Sequence, residues 1–362
     1  MKILYVSRHF NRSGYYILKE LVEHNFNIIG VVLKDGPDPM RSKFLRPFAI
    51  IKYYGKCLFY RCRPLRFIKS EELLARKKGV PIIRINDIKT DEFFSLLENI
   101  SPDIIVLGGG WHQLLPPHVY NYPKRGTINT HPSLLPRFRG TTVHRWQILH
   151  GVTESGVTIH YVDESFDTGS IIASKSVRIG ENDTPQDLFE KTAIASGPLM
   201  REVLDRIIQS PEAKIKTTNQ KQCEEHYFHR WLWDDGMLTI DWDKTFMEIY
   251  RLVLASTQES YEYKGPIFHF GGKRYFLRTA DTIPNKKFNR QGNDSIIMLK
   301  TDRSGMHIYR ATDEHILIIR QVQRYDDHYK RRRAFNPRRW AGKYGLEPGI
   351  GLDSLLGEGN NE

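Results

Sequence analysis

Over its first hundred or so residues the chain alternates short apolar runs with stretches of helical spacing, and this alternation limits it to one broad architecture. Residues 1–7 form an apolar run, residues 14–23 set Ile17, Leu18, Leu21 and Val22 on one helical face, and residues 27–33 are apolar and β-branched again. The pattern resumes with a helix over 71–78, a strand over 80–84, a helix over 89–98 and a strand over 103–107. Strands that are apolar along most of their length are covered on both faces, and a helix between successive strands is the crossover that parallel pairing requires. The expectation is an α/β fold with a mostly parallel, Rossmann-like sheet. Ligands of such sheets sit beyond the carboxyl ends of the strands.

The pattern changes in the second half. Thr184-Pro185-Gln186-Asp187 carries a hydroxyl cap, a proline in the first turn and an acid three residues on, so a long helix starts here and runs to about Gln209. Residues 210–225 are polar and read as a linker. An amphipathic helix over 243–256 (Phe246, Ile249, Tyr250, Val253) precedes strand-like pieces near 266–270, 273–279, 295–300, 306–310 and 315–322. Short strands broken by Gly, Asn and Asp suggest a small β-barrel of OB-like form. The resulting division is a first domain over 1–209, a linker over 210–225, a barrel-like domain over 226–323 and a basic tail over 324–362.

Composition narrows the function classes. With 362 residues and 40% hydrophobic content the chain can bury a sizeable core, which excludes disordered and fibrous classes. Residues 1–10 lack the apolar centre of a signal peptide, and no run reaches the roughly 18 apolar residues of a membrane span, so a cytoplasmic location is expected. Cys57, Cys62 and Cys223 are an odd set without zinc-site spacing, which predicts reduced thiols and no metal. A formal charge of +12 favours polyanionic partners such as nucleotide diphosphates, RNA or an acidic membrane surface.

The chemistry concentrates in residues 126–140, GTINTHPSLLPRFRG, and in Phe166-Asp167-Thr168-Gly169. Residues 127–130 alternate after a turn glycine and read as a short strand, so Asn129 and His131, two apart, leave it on one face. An amide donor and an imidazole then point into one space, an arrangement that stabilises a carbonyl under attack. Asp167, shortly after the strand-like residues 157–162, would hold that imidazole charged and oriented. Each residue also has a plainer reading. His131 alone fits a strand-end histidine satisfied by a backbone carbonyl, Asp167 fits an acid turning on Thr168-Gly169, and His160 fits core packing. Gly108-Gly109-Gly110 after a strand lets main chain approach a ligand, or is a simple loop; lacking Gly-Lys-Ser/Thr, it is not a phosphate loop.

The set Asn129-x-His131-x-Ser133-x-Leu135-Pro136-x-x-x-Gly140 followed by Asp167-x-Gly169 resembles the signature of formyltransferases that use 10-formyltetrahydrofolate. The likeness includes Thr158 and His160, nine and seven residues before the aspartate. It implies an N-formyltransferase: Asn129 and protonated His131 donate to the formyl oxygen, Asp167 keeps His131 charged, and Thr158, His160 and Ser133 support them. By the same resemblance Gly110, Gln113, Leu114 and Leu115, with Asp163, Glu164, Ser165 and Phe166, line the pterin pocket of 10-formyltetrahydrofolate, and Leu135-Pro136 is a cis bond. Tyr227, Arg230, Asp235-Gly236 and Ile240-Asp241-Trp242 are similar to the C-terminal domain of amine formyltransferases, in a spacing nearer the UDP-4-amino-arabinose enzymes than the tRNA enzymes.

The amine acceptor is less determined. Arg8, Arg12 and Ser13 lie between the first strand and first helix, where amides and arginines can receive acceptor phosphates or be solvated loop charges. The Gly-Thr pair usual there in methionyl-tRNA formyltransferases is missing, which leaves a nucleotide-linked amino sugar ahead of tRNA. Against this, an insertion over 36–70 carries nine basic residues between 41 and 69 with no acid, interleaved with aromatics, and residues 324–343 form a second basic patch. Such segments suit tRNA, an anionic membrane surface, or merely a solvated face. Exposed barrel strands would allow a homodimer. A formyltetrahydrofolate hydrolase is a further alternative, since the same polar residues serve water; hydrolases of this type usually carry an N-terminal regulatory domain, whereas this chain begins at the first strand.

Overall fold

The computed structural model describes residues 1–8, 11–34, 71–85, 87–110, 113–210, 215–220, 227–231, 235–256, 265–324 and 336–356. The basic insertion and most of the central stretch of the second basic patch lie outside them. Two compact units are present: Met1–Gly140, Glu154–Arg178 and Phe189–Phe228 form the first, and Thr141–Thr153, Ile179–Leu188 and His229–Glu362 the second.

The first unit is built on a seven-stranded sheet: β1 (Ile3–Arg8), β2 (Ile28–Lys34), β3 (Ile82–Arg84), β4 (Ile104–Leu107), β5 (Thr127–His131), β7 (Glu154–Tyr161) and β8 (Ile171–Arg178). Their order is β3-β2-β1-β4-β5-β7-β8. Pairing is parallel from β3 through β5 and antiparallel for β5 with β7 and β7 with β8. A separate two-stranded pair joins β6 (Arg139–Gly140) to β9 (Tyr227–Phe228). The sequence neighbours β1 and β2 lie to one side and β4 and β5 to the other, so the direction of winding reverses at the β1/β4 boundary, where ligand crevices form in such sheets.

Alternation along the strands sets both faces. Ile3 and Tyr5 pack with Ile17, Leu21, Ile128, Ile159, Leu199 and Val203, whereas Leu4 and Val6 pack with Val32, Phe93, Leu97, Ile105 and Leu107. Each fully buried aliphatic side chain contributes about 1.5–3 kcal/mol. The helix Arg12–Glu23 begins where the Asn11 side chain accepts the Ser13 N–H, and the helix Asp91–Ile100 where Thr90 accepts from Phe93. The helix Pro185–Gln209 starts as its sequence predicts: Thr184 N–H donates to Asp187 Oδ2 at 3.0 Å and Asp187 N–H returns to Thr184 Oγ1 at 3.3 Å. Residues 215–220, expected in a linker, run beside β8, with Thr218 bridged to Ile171.

The second unit carries a five-stranded antiparallel sheet, β10 (Ile267–Phe270), β11 (Lys273–Pro284), β12 (Ile297–Thr301), β13 (Met306–Tyr309) and β14 (His315–Arg324), in the order β10-β11-β14-β13-β12. This is the small C-terminal β domain that the short strands imply. The helix Phe246–Ala255 starts at a reciprocal cap between Thr245 and Glu248 and buries Phe246, Ile249, Tyr250 and Val253 against Phe268, Phe270, Leu277 and Leu317. Among the described residues no helix is long and apolar enough to cross a membrane.

Candidate active site

The site forms because β5 and β7 run antiparallel in one register. Asn129 lies opposite His160 and His131 opposite Thr158, so the two residues of β5 share a face with the two of β7. His160 Nδ1 donates to the Tyr161 carbonyl at 2.8 Å, and its Nε2 lies 3.2 Å from Asn129 Nδ2. Asp167, on the turn between β7 and β8, closes the group. Its Oδ1 lies 3.3 Å from His131 Nδ1, 3.4 Å from Asn129 Nδ2 and 3.6 Å from His160 Nε2, and its Oδ2 accepts the Gly140 N–H at 3.0 Å. The trio predicted from sequence is therefore gathered on one carboxylate, with His160 as a fourth member.

His131 is engaged at both ring nitrogens. Its Nε2 donates to the Phe138 carbonyl at 2.7 Å while Nδ1 faces Asp167. Both the plain reading, a backbone carbonyl, and the functional one, an aspartate, thus describe the same imidazole. An imidazole between two acceptors is held as the cation. Burial, the largest influence, pushes its pKa down, but the Asp167 charge and hydrogen bond and the Phe138 carbonyl outweigh that and leave it raised. For Asp167 burial pushes the carboxyl up, and the charge and hydrogen bond of His131, followed by His160, carry it well below the usual carboxylate range. The expected His131 N–H aimed at a substrate oxygen is instead on Phe138, so its contribution in this geometry is positive charge.

Thr158, expected to back Asp167, works on the neighbouring turn: its Oγ1 donates to the Ser133 carbonyl at 2.7 Å and accepts the Leu135 N–H at 3.1 Å. Ser133 Oγ donates to the Arg137 carbonyl at 2.7 Å, and Leu135-Pro136 is cis. These contacts shape the chain between His131 and Gly140, which supplies both the Phe138 carbonyl and the Gly140 N–H.

Gly109 and Gly110 follow β4 at φ +87° and +74°, a backbone that favours glycine, and Asn11 Nδ2 donates to the Gly108 and Gly109 carbonyls at 3.2 and 2.6 Å. Of the residues implied for the pterin pocket, Leu114 and Phe166 remain 36% and 39% exposed, Gln113 is half-buried, and Leu115 is buried in the sheet core. Asp163 Oδ1 accepts from Thr168 Oγ1 at 2.6 Å and from the Ser165 N–H at 3.3 Å, while Glu164 and Ser165 are exposed. Arg8 is exposed at the end of β1, Arg12 is paired with Glu190 at 3.1 Å, and Ser13 Oγ lies 3.3 Å from Ser196 Oγ. His9 and Phe10 of that loop lie outside the described residues. Among the described residues no group of three or more His, Cys, Asp or Glu could hold a metal ion.

The Phe138 carbonyl, the Gly140 N–H and Gln220 were not anticipated. Main-chain partners have no residue-type signature, although Gly140 at φ +103°, where an added Cβ would fall 2.1 Å from the Phe228 carbonyl, explains why the motif has glycine there. Gln220 Nε2 donates to the carbonyls of Asp167 and Gly169 at 3.0 and 2.6 Å, and a single glutamine in a polar stretch carries no local signal.

A parallel-centred α/β sheet that gathers an amide, a charged imidazole and a carboxylate at one strand end defines a class of site suited to polarising a carbonyl without a covalent nucleophile. A family model described as Formyl transferase matches residues 65–204. The methionyl-tRNA formyltransferase of Geobacillus sp. (strain WCH70) is 30% identical over 235 residues, 65% of this chain and 65% of that protein. Among solved structures, an N-formyltransferase from Helicobacter canadensis, in complex with folinic acid and dTDP-3-aminofucose, superposes with a TM-score of 0.60 at 20% identity, covering 90% of this chain and 100% of that one. WlaRD, a sugar 3N-formyl transferase, gives a TM-score of 0.57 at 18% identity over 90% and 98%. At these identities the two structures show a shared fold. Residues 65–204 thus carry the likeness to formyl transferases, and the chain spans 65% of the length of that methionyl-tRNA formyltransferase.

Proposed function

We propose that this protein transfers a formyl group from 10-formyltetrahydrofolate to a primary amine, and that the amine is carried by a nucleotide-linked amino sugar. The observation that carries formyl transfer is the single carboxylate of Asp167 with His131 at 3.3 Å and Asn129 at 3.4 Å. 10-Formyltetrahydrofolate supplies an activated formyl carbon. Two exposed apolar side chains, Leu114 and Phe166, and the main chain at Gly109 and Gly110 suit a flat ring with polar edges, and with Gln113 and Asp163 they are the residues we assign to hold it.

The amine nitrogen attacks the formyl carbon, the bond from that carbon to the folate nitrogen breaks, and the proton lost by the amine balances the one the folate nitrogen gains. Negative charge builds on the formyl oxygen. Asn129 meets it with an amide whose present contacts, 3.2 and 3.4 Å, are long enough to exchange for a substrate oxygen. The His131 cation stabilises the same charge through space, and Asp167 keeps that cation in place and orients the water through which the amine's proton leaves toward the folate nitrogen. The division we assign is a catalytic domain over residues 1–209 and a C-terminal domain from 226.

Two observations support an amino-sugar acceptor: the missing Gly-Thr pair in the loop after β1, and a fold likeness along 90% of the chain to an enzyme solved with dTDP-3-aminofucose. A second reading, methionyl-tRNA formyl transfer, is favoured by the 30% identical relative and by the basic insertion. An acceptor screen decides between them. Full-length protein and 10-formyltetrahydrofolate are incubated with UDP- and dTDP-linked amino sugars, and separately with charged initiator tRNA. Formylated sugar nucleotide supports the first reading; salt-sensitive tRNA binding with formyl-methionyl product supports the second. Formate release without any acceptor would indicate a hydrolase instead.

A further inference from the structure

The turn that carries Asp167 is held by a stretch of chain fifty residues further on. Thr218 and Ile171 exchange backbone hydrogen bonds of 2.8 and 2.9 Å, Ser170 Oγ donates to Asn219 Oδ1 at 2.9 Å, and the Gln220 carboxamide donates to the carbonyls of Asp167 and Gly169 at 3.0 and 2.6 Å. Residues 218, 219 and 220 thus each bind part of the segment 167–171.

Asp167 requires such support. Its φ of +57° is left-handed, which is unfavourable for a residue with a Cβ and persists only where the surroundings over-determine it. Gly169 lies so close to β7 that a Cβ there would fall 1.8 Å from the Tyr161 carbonyl, so the turn approaches that strand as only glycine can. Gln220 spans the two, drawing both carbonyls of the turn onto one amide nitrogen. Its Oε1 is buried with no hydrogen-bond partner among the described residues, and an orphaned acceptor of this kind is unfavourable. The amide is oriented for the turn and not for its own satisfaction.

We propose that Gln220 is a positioning residue of the formyl-transfer site, fixing the 167–169 turn so that one carboxylate meets His131, Asn129 and the Gly140 N–H together. This rests on the reading of the site given above. When the turn relaxes, Asp167 leaves His131, and burial then drives the imidazole toward its neutral form. The titratable groups gathered at that carboxylate are His131, at 3.3 Å, and His160, at 3.6 Å, and a change in its position registers on the protonation of His131.

The test uses Gln220→Ala and the near-isosteric Gln220→Glu in the full-length chain. The Glu variant keeps the side-chain shape and, when ionised, has no donor for the two carbonyls. The His131 ring-proton titration is followed by NMR without donor or acceptor, alongside thermal midpoint, kcat and KM. In both variants the His131 pKa falls below the ordinary imidazole range, and kcat drops about 10- to 100-fold with the KM for the donor little changed. A merely structural glutamine would lower the thermal midpoint and leave the titration where it was. An unmoved His131 titration in either folded variant overturns the proposal, and if the Ala variant does not fold the Glu variant gives the answer. The NMR readout needs no turnover, so a shifted titration with no formyl product on any acceptor would overturn the formyl-transfer reading while leaving the positioning role intact.

Discussion

His131 and Asp167 form an ion pair inside the fold, 3.3 Å apart with 5% and 10% of their side chains exposed. Burial opposes the charge on each, and their mutual attraction keeps both ionised. Removing one charge from such a pair leaves the other without compensation, which typically destabilises by about 3–5 kcal/mol. The Asp167→Asn variant should therefore unfold at a lower urea midpoint, hold His131 neutral at pH 7, and turn over at least about 100-fold more slowly. Near-native stability combined with near-native kcat would contradict the pairing.

The two shifts set a pH window. A raised His131 pKa means that its contribution to stability is full below the unfolded imidazole value of about 6.5 and is lost as pH climbs through the folded pKa. A depressed Asp167 pKa means that its contribution is present above about 4 and is lost only as pH falls through the low folded value. Formyl transfer should then decline on the alkaline side, at a pH above the ordinary imidazole range. A rate profile whose activity instead rises through that range as His131 deprotonates would show that the neutral imidazole is the working form.

In the proposed mechanism Asn129 offers the amide that faces the developing oxyanion. Loss of one such donor costs on the order of 100- to 1000-fold in turnover. Single-turnover formyl transfer by Asn129→Ala should fall in that range, with donor affinity, read by equilibrium titration of a non-reactive folate, nearly unchanged.

Gly169→Ala tests the main chain around the turn. The added methyl would lie 1.8 Å from the Tyr161 carbonyl, a backbone atom that cannot rotate away. The variant should be recovered with a depressed thermal midpoint and a His131 titration moved downward. Wild-type melting of the Gly169→Ala protein would mean the turn is looser than its geometry.

Thr245→Ala serves as a contrast in the other unit. It removes the hydroxyl that accepts the Glu248 N–H at the start of the helix Phe246–Ala255, leaving the backbone half of the reciprocal cap, for about 1 kcal/mol. Denaturation should register the loss, while kcat for formyl transfer stays within about twofold, since no atom of the cap belongs to the group around Asp167.

Much of this was readable from residue order. Apolar runs such as residues 1–7 and 103–107 became β1 and β4 because a strand buried on both faces has no freedom to be polar. Asn129 and His131 shared a face because strand side chains alternate. β8 carries little strand signal of its own, since Ile171–Arg178 is half polar and half exposed, and its strand character comes from pairing with β7, not from its own composition. The sequence suggests that Thr158 supports Asp167, whereas the register with His131 turns its hydroxyl toward Ser133 and Leu135. The second contact of His131 and the reach of Gln220 depend on distances between segments far apart in sequence, which no local pattern encodes. The fold and the polar trio were legible; their orientation was not.

Asn11 receives the Ser13 amide and gives its own amide to Gly108 and Gly109, bridging the ends of β1 and β4. The segment proposed for the acceptor and the glycine turn proposed for the donor are therefore one mechanical piece. Anyone grafting a foreign β1 loop to alter which amine is accepted would have to carry the asparagine along, or the glycine turn would lose its anchor at the same stroke.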